Sequence, residues 1–244
     1  MDKHLDGWYS PTLGQEMPIV SYGHAGHPLL LFPTAAADYL ENERFWLIKA
    51  IEPAIEAGRV RVYSINSINS QAWMDDKLPV PEQARRQALY ARYIEDEVAP
   101  YIRNAGGSGS RIGTCGASFG AFHAANTFFR RPDLFDSVIA MSGFYDLGPD
   151  YLKGYGDDNC YFNNPSSYLP NVSGQQLETL RTATQIHILT GQGAYEAPDA
   201  SRKLAAMLSN LGVPHFLDVW GFDVNHDWPW WRKMLPYAID RLGW

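Results

Sequence analysis

The chain has only two cysteines, Cys115 and Cys160, which offers neither a disulfide framework nor a zinc site. Positive charge is also scarce: 20 lysines and arginines stand against 27 aspartates and glutamates, a formal net charge of −7. That balance argues against nucleic acid or an anionic membrane surface as the main partner. No apolar run approaches the ~20 residues needed to span a bilayer. The Met1–Ser10 stretch lacks the apolar segment of a secretory leader, so a cytoplasmic location is the expectation. The glycine-rich Gly106–Ser110 segment has no following Gly-Lys-Ser/Thr and opens no helix, which excludes a phosphate-binding loop. It reads as a flexible connector. No internal repeat or interdomain linker is evident, so the 244 residues are read as one domain, 1–244.

What is present is an alternation of strand-like and helix-like segments. Trp8–Ser10 and Met17–Tyr22 are candidate strands joined through Pro11–Gly14. Leu29-Leu-Leu-Phe32 is a continuous apolar run of the kind that is buried on both faces of a parallel sheet. Glu41–Ala57 carries Leu47, Ile48, Ile51 and Ile55 at helical spacing, with Pro53 as a possible kink. Arg59–Ile65 alternates and is rich in β-formers. Pro81–Arg103 reads as a second long helix, Arg111–Cys115 as a short buried strand and Ala121–Arg130 as a buried helix. Further strands are expected at Ser137–Ser142, Gln185–Leu189 and Pro214–Trp220. A helix capped by Asp199 and ended by Gly212 follows the second of these, and Trp228–Leu242 closes the chain. The alternation indicates an α/β sheet. Residues 147–180 lack regular periodicity and concentrate tyrosine and asparagine. Such an insertion reads equally as a wall over a site or as a surface excursion with its own small core.

One motif within this frame points to chemistry. Gly116-Ala-Ser118-Phe-Gly120 fits the Gly-x-Ser-x-Gly pattern of a nucleophile elbow, and it falls between an expected strand and an expected helix. A serine hydroxyl needs a base within hydrogen-bond reach and a group that orients the base. In this architecture the chain order is serine, acid, histidine. Of seven histidines, only His215 and His226 follow the last plausible acid loop. His215 opens a strand, whereas His226 lies in the loop after the last strand, so His226 is the expected base. Glu196 is ranked first as the acid, ahead of Asp199, which has a capping role, and Asp146. Asp227 adjoins His226 and cannot readily fold back onto its ring. The expected oxyanion donors are the backbone N–H groups of Phe119 and Ala35, with Thr34 and Ala36 in contention for the second. His123 is read as a core residue on the helix leaving the elbow, and His24-Ala-Gly-His27 as a turn rather than a metal pair. No metal and no cofactor are called for.

The same residues carry a resemblance. Glu97-Val-Ala-Pro-Tyr-Ile102, Arg131-Pro-Asp-Leu-Phe135, Ala140-Met-Ser-Gly143 and His226-Asp-Trp-x-x-Trp231 resemble segments of the esterase D-like branch of the α/β-hydrolases. That branch includes S-formylglutathione hydrolases, feruloyl esterases and mycolyltransferases. Phe32-Pro-Thr34 and the residues around Ser118 look closest to a little-described bacterial subgroup. The resemblance implies an α/β-hydrolase fold with a mostly parallel eight-stranded sheet and a serine carboxylesterase acting on a small-molecule ester. Gly191-Gln-Gly-Ala-Tyr-Glu196 resembles the mycolyltransferase acid loop, which favours Glu196 and brings acyl transfer in as an alternative activity. A non-catalytic binding protein on the same fold is the alternative from another class. The oxyanion loop departs from the His-Gly-Gly of many relatives, having Pro33-Thr34-Ala35.

Overall fold

A computed structural model describes residues 1–106 and 111–244. The connector expected at Gly106–Ser110 therefore falls, beyond Gly106, outside the described residues. The strands are β1 (Lys3–Ser10), β2 (Gln15–Tyr22), β3 (His27–Phe32), β4 (Val60–Ile65), β5 (Ile112–Ala117), β6 (Phe135–Met141), β7 (Gln185–Thr190) and β8 (Phe216–Val219). They form one eight-stranded sheet in the order β1-β2-β4-β3-β5-β6-β7-β8. β1, β2 and β4 pair antiparallel, and every pairing from β4 through β3 to β8 is parallel. This is the α/β-hydrolase sheet.

The helices are α1 (Glu41–Arg44), α2 (Leu47–Ala50), α3 (Glu52–Glu56), α4 (Val80–Tyr93), α5 (Ala99–Gly106), α6 (Phe119–Arg130), α7 (Asp158–Tyr161), α8 (Pro165–Tyr168), α9 (Gly174–Thr182), α10 (Pro198–Asn210) and α11 (Trp228–Leu242). Both faces of the sheet are covered, and the period-2 alternation of the strands shows how. Leu30 and Phe32 join the core beneath α4, α5, α6, α9 and α10, while Leu29 and Leu31 join the core beneath α2, α3 and α11. That two-sided burial is why β3 reads as an unbroken apolar run.

Three expectations about helices are corrected. Glu41–Ala57 is not one helix but three short ones, with the first break where Trp46 takes a left-handed backbone at φ 67° and the second at Ile51. Pro53 stands in the first turn of α3 rather than kinking a longer helix, a position where a missing N–H costs no intrahelical bond. The Pro81–Arg103 helix starts at Val80 and is interrupted by a wide π turn at Ile94–Val98. Pro100 explains the interruption: its missing N–H and its ring conflict with the carbonyl four residues back, and the wide turn absorbs the mismatch. Asp199 does not cap α10. The cap position is Ala197, and Asp199 lies inside the first turn, paired with Arg202 at 2.8 Å.

The 147–180 insertion is mostly short helical pieces and includes the regular helix α9. Its Leu147, Leu152 and Cys160, with partly buried Phe144 and Tyr151, pack on Phe119 and Phe122 at the start of α6. The insertion thus has a small core of its own and forms a wall beside the elbow.

Candidate active site

The carboxyl ends of the parallel strands gather the expected residues along one edge of the sheet, where ligands bind in open α/β sheets. Ala35 follows β3, Ser118 follows β5, Glu196 follows β7 and His226 follows β8. Ser118 has φ 56° and ψ −122°, a sparsely populated conformation for a residue with a side chain. Its N–H donates to the Met141 carbonyl at 2.9 Å, and its own carbonyl accepts from Ala121 N–H at 3.0 Å. The two motif glycines serve close approach rather than unusual dihedrals. A Cβ on Gly116 would stand 2.3 Å from the Gly120 backbone, and one on Gly120 would stand 2.5 Å from the Pro33 carbonyl oxygen. The elbow is therefore wedged between β5, α6 and the loop after β3.

The Glu196 carboxylate has no exposed side-chain surface and faces His226 Nδ1, with 3.8 Å between Nδ1 and Oε2. That separation is a charge contact, longer than a hydrogen bond. Ser142 Oγ donates to Glu196 Oε1 at 2.6 Å, and Thr190 Oγ1 donates to Oε2 at 3.1 Å. Trp231 Nε1 donates in turn to Ser142 Oγ at 3.0 Å, and the Trp231 ring stands edge-on to the His226 imidazole at 5.1 Å. Burial would raise the Glu196 pKa, but the facing His226 and the Ser142 and Thr190 hydroxyls outweigh it and hold the carboxyl below its usual range. The carboxylate is thus a fixed negative charge behind the imidazole. With Nδ1 turned to Glu196, Nε2 is the nitrogen left for the substrate side.

The other two acid candidates lie elsewhere. Asp146 accepts the Gly148 N–H and an Asn164 amide within the insertion. Asp199 is exposed and paired with Arg202. Asp227 caps α11 through the Trp228 N–H at 2.7 Å, so it does not turn toward His226. His215 sits just before β8 with Nδ1 on the Val213 carbonyl.

The acid and histidine loops are held together by backbone. Gly193 N–H donates to the Val224 carbonyl at 2.8 Å, His226 N–H to the Ala194 carbonyl at 3.0 Å, and Ala194 N–H to Asn225 Oδ1 at 2.8 Å. A Cβ on Gly191 would meet the Val224 carbonyl oxygen at 2.1 Å. Gly191→Ala is therefore expected to force the two loops apart and lower stability by ~1–3 kcal/mol, the usual cost of overpacking. Thermal unfolding alongside an ester assay checks it; an unchanged melting temperature with full activity would mean that the loops yield freely.

In the loop after β3, the Thr34 N–H and Oγ1 both bind the Glu41 carboxylate, at 2.7 and 2.8 Å. Thr34 therefore has no amide left for an incoming oxyanion. The N–H groups of Ala35, Ala36 and Phe119 make no hydrogen bond to a described residue.

The family described as "Putative esterase" matches residues 55–242. The chain belongs to that family. Family membership makes it an esterase on an α/β-hydrolase scaffold, with the sheet just described as its core. Among solved structures it is similar to a ferulic acid esterase, at 18% identity and TM-score 0.76 over 99% of this chain and 97% of that one. It is also similar to an S-formylglutathione hydrolase from Staphylococcus aureus, at 16% identity and TM-score 0.75 over 99% and 98%. The fluorophosphonate-binding serine hydrolase F of the same organism matches at 16% identity and TM-score 0.75, again over 99% and 98%. No curated protein sequence matches the chain.

Sequence reasoning did not single out Ser142, Thr190 or Trp231 as residues gathered around Glu196. Ser142 and Trp231 stood in the motifs that carried the resemblance, but nothing in those motifs says that one hydrogen-bonds the other. Ser142→Ala is expected to cost ~1.5–3 kcal/mol, the value of a hydrogen bond to a charged group. The Glu196 carboxyl should rise toward its ordinary range as a result. Carbon-13 titration of the glutamate carboxyls in both proteins measures the shift, and an unmoved Glu196 signal would show that Ser142 is not what holds it. A cavity of ≈ 550 Å³, lined in part by Arg92, Arg130 and Phe162, lies at the far end of α6, about 18 Å of helix from Ser118. It is too distant to serve the reacting ester.

Proposed function

We propose that the chain is a serine carboxylesterase acting on a small or medium ester, with Ser118 as nucleophile, His226 as base and Glu196 as the acid behind it. The observation that carries this reading is the buried Glu196 carboxylate facing His226 Nδ1, on the same sheet edge as a serine held at φ 56°. Ser118 Oγ attacks the ester carbonyl carbon while its proton passes to His226 Nε2. The tetrahedral oxyanion is met by the Phe119 N–H and a second N–H from the loop after β3, that of Ala35 or its neighbour Ala36. The alcohol leaves with the proton from His226, and an acyl-serine remains. Water, giving its proton to His226, then attacks the acyl carbon. The acid departs and Ser118 regains its proton. The imidazolium formed in each half-reaction is stabilised by the ionised Glu196. Nothing in this sequence of steps requires a metal or cofactor.

The same acyl-serine can pass to an alcohol rather than to water. The wall formed by Phe119, Phe144 and Tyr151, with ring centroids 5.0–5.8 Å apart, favours this by keeping one side of the site apolar. Product analysis with and without added alcohols separates the two outcomes. The primary test is covalent labelling. A fluorophosphonate probe should modify the protein once, on the peptide that contains Ser118. A labelled protein with its adduct elsewhere would overturn the assignment, and failure to label would favour the non-catalytic reading.

A further inference from the structure

The least expected arrangement behind the elbow involves His123, which lies on α6 five positions after Ser118. It is 1% exposed and packed among Phe32, Tyr90, Phe119 and Phe122. Burial pushes its pKa down to about 3, so the ring is neutral at any working pH. A neutral, aromatic-lined histidine is read from sequence as packing. Its one polar contact leads elsewhere: Nε2 lies 3.0 Å from Oδ1 of Asn69, which is itself fully buried.

The direction of that contact follows from the far end of the chain of bonds. The Asn69 amide also lies 2.7 Å from the Ala35 carbonyl oxygen. A carbonyl can only accept, so Nδ2 must point at Ala35 and Oδ1 at His123. Oδ1 can only accept as well, so His123 carries its proton on Nε2. The Ala35 carbonyl takes a second hydrogen bond from Ser67 Oγ at 3.0 Å, and the Asn69 N–H donates to that same Oγ at 3.0 Å. Every bond in the set points toward one carbonyl group.

That carbonyl belongs to the peptide joining Ala35 to Ala36, and the peptide is trans. Fixing its oxygen on Asn69 and Ser67 fixes the plane, and with it the Ala36 N–H on the opposite side. On the amino-terminal side, Glu41 holds Thr34 by its N–H and hydroxyl. The Ala35 and Ala36 N–H groups, which bond to no described residue, are thus bracketed by two buried anchors. The loop has no side chain larger than a methyl at either position, so nothing in its own sequence would hold it in place.

We infer that His123, Asn69 and Ser67 are positioning residues for the oxyanion loop: they clamp the Ala35–Ala36 peptide so that its Ala36 N–H, and the Ala35 N–H that precedes it, are preset for the developing oxyanion. This inference rests on the proposed serine esterase mechanism. His123 touches no reacting atom. Its work is to orient Asn69, whose amide would otherwise be free to turn over.

The test separates the clamp from the mechanism beneath it. Wild-type protein is first assayed with p-nitrophenyl acetate and labelled with a fluorophosphonate; no turnover and no label would sink the esterase reading itself. Given an active wild type, His123→Phe keeps the ring but removes the donor, and Asn69→Ala removes the clamp. Each is expected to lower kcat by roughly 10- to 100-fold, somewhat less than deletion of an oxyanion donor. KM should stay within about twofold. Affinity for a trifluoromethyl ketone, which forms the tetrahedral oxyanion on Ser118, should fall in parallel with kcat. His123→Gln places an amide donor near the position of Nε2 and is expected to restore most of the rate. A purely structural role would lower the melting temperature without changing the ratio of ketone affinity to KM. If either buried variant fails to fold, Ser67→Ala, at a half-buried position, removes one donor to the same carbonyl and decides the matter. A folded Asn69→Ala or Ser67→Ala protein with unchanged kcat and ketone affinity would overturn the inference.

Discussion

Ser118→Ala is expected to lower kcat for a p-nitrophenyl ester by roughly 10⁴–10⁶, with KM little changed, because the nucleophile is lost and substrate binding is not. Stability should move in a different way. Ser118 sits at φ 56°, ψ −122°, and alanine brings the same Cβ into the same strained backbone. The alanine variant should therefore unfold within about 1 kcal/mol of the wild type. Ser118→Gly should be just as inactive yet more stable, by about 1 kcal/mol net. It relieves roughly 1–3 kcal/mol of backbone strain and gives back ~0.5–1 kcal/mol as extra flexibility in the unfolded chain. Denaturant unfolding of the three proteins, beside initial rates, measures both quantities. The informative result is the combination of a dead enzyme and a sturdier protein, which would show that the strain is held for function. A glycine variant less stable than the alanine one would mean that the turn is not strained. Residual turnover in Ser118→Ala above the stated range would remove Ser118 from the mechanism.

Much of this architecture was legible in the chain because its strands are buried on both faces. Leu29–Phe32 has no polar side to present and Ile112–Cys115 has only the small Thr114 as a polar side chain, and such short runs bounded by glycine or proline mark buried strands clearly. The helices were harder where local geometry overrode periodicity. Leu47, Ile48, Ile51 and Ile55 do share one buried face, as their spacing says. The break at Trp46 depends on a backbone angle that no pattern of apolar residues reveals. The π turn before Pro100 could have been anticipated, since a proline deep in a helical period must disturb the ladder around it.

The site divides along similar lines. Chain order and loop position brought out Ser118, Glu196 and His226, because each follows a recognisable strand. What surrounds them was hidden, since hydrogen bonds across 54 or 89 positions leave no local signature. Ser142 bonded to Glu196, and Trp231 bonded to Ser142, are of this kind. So is His123, whose aromatic neighbours are readable as core and whose bond to Asn69 is not. Polar residues at the ends of buried strands are the one cue that sequence offers for such partners. Ser142 and Thr190 both stand at that position.

Glu196→Gln is expected to lower kcat by about 10³–10⁴, comparable to removing the charge behind a catalytic histidine while keeping its geometry. Glutamine has nearly the same shape but only one oxygen, so one of the two hydroxyls, Ser142 on Oε1 or Thr190 on Oε2, keeps its acceptor and the other must turn to accept from the amide N–H. What is lost is the negative charge facing His226 Nδ1, and with it the stabilisation of the imidazolium formed in each half-reaction. The pH dependence of stability gives an independent check. Glu196 has a folded pKa below its ordinary value, because the facing imidazole and the two hydroxyls outweigh its burial. A carboxyl depressed by folding stabilises the protein fully above its unfolded pKa of ~4.3, and that contribution disappears as pH falls through the lower folded value. The wild type should therefore exceed Glu196→Gln in unfolding free energy just above that unfolded pKa, where the carboxylate is ionised in both states. Below ~4.3 the margin should shrink. Urea unfolding at intervals across that pH measures it. A margin that grows as pH falls below ~4.3 would mean that Glu196 is protonated in the folded protein, and a neutral carboxyl could not hold the histidine's charge.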